Sequence, residues 1–291
     1  MEEQSQKKQI ETWLPNSLLI FLEELFLFSL TLALGIFLAF RINNQLPKIE
    51  VSVEKISFLQ FISYFFLGTL FIVILSYFKK FQRQKAFIYK SLFVITTFSS
   101  GLITLDILGI SNILGLVFMS ILIFFWLKAP SALNHNALII LGISSIGSIL
   151  GLSLSPMTVA FILIIFSIYD FIAVYKTKHM IKMAKDMIES GSILALVLPQ
   201  KTDDFKAPLN SITTAGKSII LGGGDIAFPL IMASSLVPEG FLKVLIVSIF
   251  AVLGFSTSFL IFASGKERRS IPALPPIALG SILGFLITRF F

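Results

Sequence analysis

The chain contains no cysteine among its 291 residues, and only 13% of its residues are charged. The absence of cysteine excludes a disulfide framework, a thiolate nucleophile and a cysteine metal site. The scarcity of charge accompanies a hydrophobic fraction of 56% and a mean hydropathy of +0.92, which soluble domains do not reach. This composition predicts an all-α, polytopic membrane protein. The continuous apolar runs exclude a β-barrel, because the strands of a barrel alternate between apolar and polar residues.

Histidine is nearly as scarce, since His135 and His179 are the two in the sequence. They are far apart and have no clustered partner, so we predict no metal site. The formal net charge of +7 does not indicate a nucleic-acid partner. In a membrane protein, an excess of lysine and arginine reports mainly which loops are cytoplasmic.

Nine apolar segments are candidates for membrane spans. They cover residues 15–40, 56–78, 86–105, 110–127, 137–153, 156–174, 218–236, 240–263 and 273–290. The fourth is short, because it rises about 27 Å against a hydrocarbon core of about 30 Å. The polar N-terminus carries no small-residue cleavage pattern, so we expect the first segment to be a retained helix.

Lysine and arginine are distributed unevenly between the two sides that nine spans create. Eighteen of the 23 lie on the side of the N-terminus, and five lie on the other side. Because cytoplasmic loops are enriched in these residues, the bias predicts a multi-pass protein of the cell membrane. Its N-terminus would be cytoplasmic and its C-terminus outside.

One long cytoplasmic loop, residues 175–217, is predicted between the sixth and seventh spans. We expect it to belong to a C-terminal catalytic half, residues 154–291, which follows an N-terminal bundle of about five spans, residues 1–153. Apolar residues at helical spacing between 180 and 188 predict a helix at the membrane interface. The apolar run 193–198 ends at a proline and is too short to span, so it is a candidate strand.

Two aspartates lie inside predicted spans, Asp170 in the sixth and Asp225 in the seventh. Asp170 is about 6 Å before the cytoplasmic end of its span, and Asp225 is about 10 Å after the predicted start at Ser218. The two helices are antiparallel and consecutive, and consecutive helices are often neighbours. We therefore expect the two carboxyls to lie at similar depth and to meet. Glu23 and Glu24 are assigned to a lipid-interface or pore-facing pair.

An ionised carboxylate inside a bilayer is costly, so an intramembrane aspartate is a candidate for function. Two carboxyls within a few ångströms share one proton, because they do not easily ionise together. The ionised member takes a proton from water, the protonated member donates to the scissile carbonyl oxygen, and the water attacks. This chemistry is peptide hydrolysis, and it requires no metal or cofactor.

Three glycines precede the second aspartate in the stretch LGGGD. Glycine weakens a helix by roughly 1 kcal/mol per residue relative to alanine. Gly222 and Gly224 have no Cβ, so a partner helix or a substrate backbone could approach them closely. A close-packed helix crossing with a neutral, hydrogen-bonded Asp225 explains this stretch equally well when it is taken alone.

Three motifs follow one another in the C-terminal part of the chain: YD at 169–170, GGGD at 222–225 and PAL at 272–274. They resemble the YD, GxGD and PAL motifs of the presenilin and signal peptide peptidase family, the GxGD-type intramembrane aspartyl proteases. Nine spans and a cytoplasmic N-terminus resemble the presenilin branch, and the compact loops resemble a prokaryotic or archaeal homologue. The resemblance is strongest over residues 156–291.

The resemblance implies a role for each motif. Asp170 and Asp225 match the catalytic pair, and Tyr169 matches the tyrosine beside the first aspartate. The residues of the other two motifs match the active-site glycine stretch and the segment that positions the substrate. They are Gly222, Gly223 and Gly224, and Pro272, Ala273 and Leu274.

The resemblance also implies a docking strand for the substrate. In the family, a strand before the seventh span pairs with the unwound substrate by strand addition. The best candidate here is the apolar run of Ile193, Leu194, Ala195, Leu196, Val197 and Leu198. Carbonyls left without an intrahelical donor before the proline at 272 could accept further hydrogen bonds from an extended substrate.

The implied function is hydrolysis of peptide bonds within transmembrane helices of single-span proteins or within signal-peptide remnants. The partners would be those helices and membrane lipid, without a cofactor and without a required partner subunit. Two alternatives stay open from the residues alone. One is an ion-conducting or transport protein that uses the aspartate pair, because glycine-interrupted helices with carboxylates also form ion sites. The other is a scaffold that binds helices without cutting them.

Overall fold

A computed structural model describes residues 2–45, 55–77, 82–176, 187–188, 191–213, 218–264 and 272–291. These residues form ten α-helices and a two-stranded antiparallel sheet. The helices are α1 Glu2–Gln45, α2 Phe58–Tyr77, α3 Gln82–Ile107, α4 Asn112–Lys128, α5 Ala132–Ser153, α6 Pro156–Tyr175, α7 Leu209–Thr213, α8 Gly223–Ser235, α9 Phe241–Ser264 and α10 Leu274–Ile287. The strands are β1 Ala195–Pro199 and β2 Ser218–Gly222.

Helices occupy all nine predicted span positions, and they differ in length. Five stretches are long and apolar enough to cross a membrane. They are Leu18–Gln45, Ala86–Ile107, Ala132–Ser153, Pro156–Tyr175 and Phe241–Ser264. Three apolar helical stretches are shorter, Phe58–Phe71, Asn112–Lys128 and Leu274–Phe290. The all-α membrane architecture is confirmed, and the count of nine spans stays a prediction.

The predicted seventh span is wrong in its first five residues. Residues 218–222 form β2, and the helix begins only at Gly223. Strand β2 pairs with β1, so that Leu196 lies opposite Leu221. A short apolar run such as Ile219–Leu221 has no periodicity that separates strand from helix, so the pairing partner decides. Asp225 therefore lies in the first turn of its helix and not about 10 Å inside it.

The remaining predictions for the long loop have different outcomes. The candidate strand at 193–198 overlaps β1, Ala195–Pro199. The predicted interfacial helix lies outside the described residues, apart from residues 187 and 188. After β1 the chain forms a 3-10 turn, Thr202–Lys206, and the short helix α7.

Helix α5 lies at the centre of the bundle and packs against α1, α3 and α8. Buried hydroxyls connect it to its neighbours. Ser144 and Ser148 donate to α1 carbonyl oxygens, at 3.2 Å to Thr31 and 2.6 Å to Gly35. Such hydrogen bonds and close packing hold membrane helices together, because lipid supplies no hydrophobic force between them.

Helix α8 fits into gaps that small residues leave on α1 and α5. The side chain of Leu230 fills the space that a Cβ would take at Gly35 and at Gly147. One turn further along α5, a Cβ at Gly151 would lie 2.7 Å from a backbone carbonyl oxygen of α8. A larger residue at Gly151 would therefore push the α8 backbone away, while one at Gly35 or Gly147 would displace the Leu230 side chain.

Candidate active site

The structure places Asp170 of α6 and Asp225 of α8 within electrostatic range of each other. Phe166 and Phe228 pack between the same helices, with ring centroids 4.8 Å apart. Phe166 precedes Asp170 by four residues, and Phe228 follows Asp225 by three. The helices are therefore antiparallel. Both carboxyls lie about one helical turn from the phenylalanine pair, in the same direction along the two helices. The predicted similar depth of the two aspartates agrees with this packing.

Asp170 is buried, with 5% of its surface exposed, and it contacts the predicted PAL segment. The backbone N–H of Leu274 donates to Oδ2 of Asp170 at 3.3 Å. Leu274 begins α10 and is followed by Pro275 and Pro276, which have no N–H to donate. The Leu274 N–H is thus the donor that the start of this helix offers to Asp170. The helix N-terminus also favours a negative charge on that carboxyl.

The other two residues of the PAL segment precede the helix. Ala273 is the N-cap residue of α10 and is half-buried, and Pro272 is buried just before it. The sequence suggested that this segment offers carbonyl acceptors to a substrate. In the structure, its contact with the aspartate pair is instead made by a backbone donor.

The glycines before Asp225 form the junction between β2 and α8. The backbone of Gly222 is a hydrogen-bond partner of the Asp225 carboxyl, and a Cβ at Gly222 would lie 2.9 Å from its Oδ2. The Gly223 N–H donates to the carbonyl oxygen of Leu194 at 3.1 Å. Gly224 is exposed, and the atom nearest to a Cβ placed on it would belong to the Phe228 ring, 3.7 Å away. An open surface therefore adjoins the aspartate at Gly224.

Strand β1 has hydrogen-bond partners along both edges. The side chain of Asn136 accepts from the Val197 N–H and donates to the Val197 carbonyl oxygen, each at 2.8 Å. His135 lies 3.1 Å from the carbonyl oxygen of Ala195. Since neighbouring residues of a strand point their backbone groups to opposite edges, Leu196 bonds to β2. The prediction that residues 193–198 offer a free edge is therefore wrong.

The open edge belongs to β2 instead. Leu196 lies opposite Leu221, and the backbone groups of this pair face each other. The N–H and C=O of Ile220 then point away from β1. Among the residues that the structure describes, these two groups have no hydrogen-bond partner. This edge runs directly into Gly222 and the Asp225 carboxyl.

Tyr169 is the predicted site residue that the structure does not bring into this cluster. It is 48% exposed, and it lies on the outer surface of α6 while its neighbour Asp170 points inward. Consecutive helical residues point in directions about 100° apart, so the two side chains separate. No described contact connects the tyrosine to Asp225.

Glu24 is a third carboxyl near the site that the sequence assigned elsewhere. It is 5% exposed, its Oε2 has no hydrogen-bond partner in the structure, and it lies within electrostatic range of Asp225. Ile20 and Phe28, one turn away on either side, are also buried, so this face of α1 points into the bundle. The expected lipid-interface position is therefore wrong for Glu24, and the pore-facing alternative stays a prediction.

His135 and Asn136 were also missed, because the predicted fifth span began at residue 137. The observed helix α5 begins at Ala132 and includes the polar run NHN in its first turns. A run of three polar residues at the start of an apolar helix was the sequence signal that could have indicated these two residues. Among the described residues, no three His, Asp or Glu side chains converge as ligands for a metal ion.

Comparisons with known proteins add to this geometry. The family model described as signal-peptide peptidase, presenilin aspartyl protease matches residues 23–291. A solved structure of a presenilin family intramembrane aspartate protease, in space group C222, is 22% identical, covers 91% of this chain and 98% of its own, and has a TM-score of 0.60. A second, in space group P2, is 24% identical over 90% and 96%, with a TM-score of 0.58. A search of curated proteins gave no match.

Proposed function

The chain belongs to the signal-peptide peptidase, presenilin aspartyl protease family, and on this premise we propose that Asp170 and Asp225 are its catalytic pair. The observation that supports the proposal is the placement of both carboxyls in one layer between α6 and α8. Intramembrane aspartyl proteolysis is the activity of this family. The alternative of an ion-conducting or transport protein has no support from the comparisons.

The chemistry follows from one proton shared between the two carboxyls. The ionised carboxyl removes a proton from a water molecule, and the water oxygen attacks the carbonyl carbon of the scissile peptide bond. The protonated carboxyl donates to the carbonyl oxygen as the tetrahedral intermediate forms. Collapse of this intermediate breaks the C–N bond, and the proton taken from water passes to the leaving nitrogen. The Leu274 N–H keeps Asp170 oriented during these steps.

The substrate is proposed to be an apolar helix of a single-span protein or a signal-peptide remnant. A helix must unwind before its peptide bond reaches the carboxyls, and an unwound segment needs partners for its backbone groups. The outward N–H and C=O of Ile220 offer such partners beside Asp225. Residues 193–198 then support β2 from behind and do not themselves pair with the substrate.

We also propose the orientation that the charge bias favours, with a cytoplasmic N-terminus and an outside C-terminus. In this orientation the sheet and both aspartates lie toward the cytoplasmic side. We further propose that residues 154–291 form the catalytic half and that residues 1–153 form a bundle that supports it. All three motifs lie in the second half, on α6, at the junction of β2 and α8 and at the start of α10, while α1 and α5 of the first half pack against α8. No partner subunit is required in this proposal.

The test uses the full chain, purified in detergent, and a single-span peptide with about 20 apolar residues and lysine flanks. New peptide termini are identified by mass spectrometry. Asp170→Asn and Asp225→Asn should each abolish cleavage, because either change removes the shared proton. Asp106→Asn, which changes an exposed carboxyl at the end of α3, should leave the rate unchanged. The wild-type rate should be bell-shaped in pH.

Two results would overturn the assignment. The first is cleavage by either asparagine variant at the wild-type rate. The second is loss of cleavage in Asp106→Asn together with both dyad variants, which would indicate a general effect of lost charge. Thermal unfolding of each variant should match that of the wild type, because asparagine preserves the shape of the side chain.

A further inference from the structure

The first turns of α5 hold β1 through side chains. Asn136 presents both halves of its amide to Val197, and the two hydrogen bonds are each 2.8 Å long. A neighbouring strand would make the same pair of bonds, because it would also offer one acceptor and one donor to a single residue. Val197 is completely buried, so water does not replace this amide.

His135 makes the same kind of contact two residues earlier along β1. The indole Nε1–H of Trp126 donates to Nδ1 of His135 at 3.2 Å, and an indole nitrogen only donates. Nδ1 is thus the acceptor, so Nε2 carries the hydrogen and donates to the Ala195 carbonyl oxygen at 3.1 Å. Phe93 stacks on both rings, with centroid distances of 4.4 Å and 5.2 Å. The imidazole is therefore fixed in both tautomer and orientation.

We infer that Asn136 and His135 are positioning residues that take the place of a third strand and hold the open edge of β2 beside Asp225. They occupy the inner edge of β1, and β1 in turn bonds to β2. The inference rests on the proposed function, because it assigns these residues to the docking of the unwound substrate.

The position of β2 depends on this arrangement. Strand β2 has one neighbouring strand, β1, and its last residue, Gly222, contacts the Asp225 carboxyl. A two-stranded sheet is only marginally stable by itself in water, so it needs an external support. The support here comes from a membrane helix that is itself hydrogen-bonded to α1. A substrate strand would therefore meet an edge whose distance from the aspartates is fixed.

A purely structural role for Asn136 predicts a different result from a positioning role. If the amide only stabilises the loop, its loss lowers thermal stability, and the molecules that stay folded cut as before. If the amide positions β2, its loss changes the Michaelis constant and the choice of scissile bond in folded molecules. A sheet that moves relative to Asp225 presents neighbouring peptide bonds to the carboxyls.

The experiment compares three variants of the full chain on the same single-span peptide. Asn136→Leu removes both hydrogen bonds to Val197 at similar volume, and Asn136→Asp keeps the acceptor but loses the donor. Asn134→Leu is the matched control. Its amide, on the same turn of α5, donates to the Leu122 carbonyl oxygen of α4 at 3.1 Å. No described contact joins that side chain to β1.

We expect kcat/KM of Asn136→Leu to fall by about tenfold or more, mainly through a higher KM. The reason is that the buried N–H and C=O of Val197 both lose their hydrogen-bond partner. Its products should spread over neighbouring peptide bonds. The kcat/KM of Asn136→Asp should fall at least as far, because its carboxylate oxygen would face the buried Val197 carbonyl oxygen where the amide donated. Asn134→Leu should keep the wild-type KM and cleavage site. Hydrogen–deuterium exchange of the segment 195–199 should rise in both Asn136 variants and not in the control.

Three outcomes would overturn the inference. One is a folded Asn136→Leu protein with the wild-type KM and cleavage site. Another is the same change of KM and site in Asn134→Leu. A third, readable even if Asn136→Leu does not fold, is unchanged exchange of residues 195–199 in Asn136→Asp. Failure of the proposed function would differ from all of these, because it would appear as uncut peptide with wild type or as cleavage by the dyad variants.

Discussion

Proline at position 220 tests whether the open edge of β2 binds the substrate backbone. The Ile220 N–H points away from β1, so its loss leaves the β1–β2 hydrogen bonds in place. Proline is tolerated at the outward positions of an edge strand for this reason. One backbone hydrogen bond contributes a net of about 0.5–1.5 kcal/mol, which corresponds to about a twofold to tenfold change in binding. The proline ring would also block the close approach of a substrate strand.

We therefore expect Ile220→Pro to raise KM at least about threefold while the protein stays folded. Ile220→Ala is the matched control, because it removes the side chain and keeps the N–H. Leu196→Pro is a second comparison. It removes a donor that bonds inside the sheet, so it should lower the thermal stability as well as the rate.

The assay is the initial rate of peptide cleavage in detergent, measured over a range of peptide concentrations. Thermal unfolding is followed on the same samples. Docking of the substrate backbone at this edge is refuted if Ile220→Pro is folded and cuts with the wild-type KM. It is also refuted if Ile220→Ala loses as much as the proline variant, because the side chain and not the backbone would then carry the effect.

Two further predictions concern the contacts of the aspartate pair. In the double variant Asp170→Cys, Leu274→Cys, mild oxidation or a short bifunctional reagent should join the two positions, because the Leu274 N–H lies 3.3 Å from the Asp170 side chain. The chain has no native cysteine, so a band without cross-link on a denaturing gel would contradict the contact. Glu24→Leu should raise the melting temperature by a few degrees, since an apolar side chain of similar volume replaces a buried carboxyl oxygen that has no partner. A lower melting temperature than in Glu23→Gln, which changes the neighbouring carboxyl, would show that Glu24 is instead stabilised where it lies.

Much of the site follows from the sequence because its chemistry is local. An aspartate within an apolar helix is rare enough to indicate function, and the YD, GGGD and PAL motifs indicate a family by their order. The antiparallel relation of α6 and α8 follows from their connection by one loop, and it places Asp170 and Asp225 in one layer. The helical architecture follows from hydropathy, because only helices satisfy the backbone of such apolar segments in lipid.

The sheet and its supports were decided by tertiary structure. Residues 219–221 are as apolar as the helix that follows them, and their strand conformation depends on partners 21 to 25 residues away in the chain. Residues 193–198 have the composition of a docking strand, but α5 occupies their second edge through Asn136 and His135. Glu24 has the sequence context of an interface residue, yet the packing of α1 turns it toward Asp225.

The sequence by itself determined the family motifs, and with them the residues proposed to carry the chemistry, and it determined that helices carry these motifs in a membrane protein. The reason is that hydropathy and helical spacing are properties of residues close together in the chain. Only the tertiary structure decided which strand edge is open, which helix supports it and which third carboxyl lies near the aspartate pair. These features depend on contacts between residues distant in sequence, and a short apolar or polar run fits several such partners equally well.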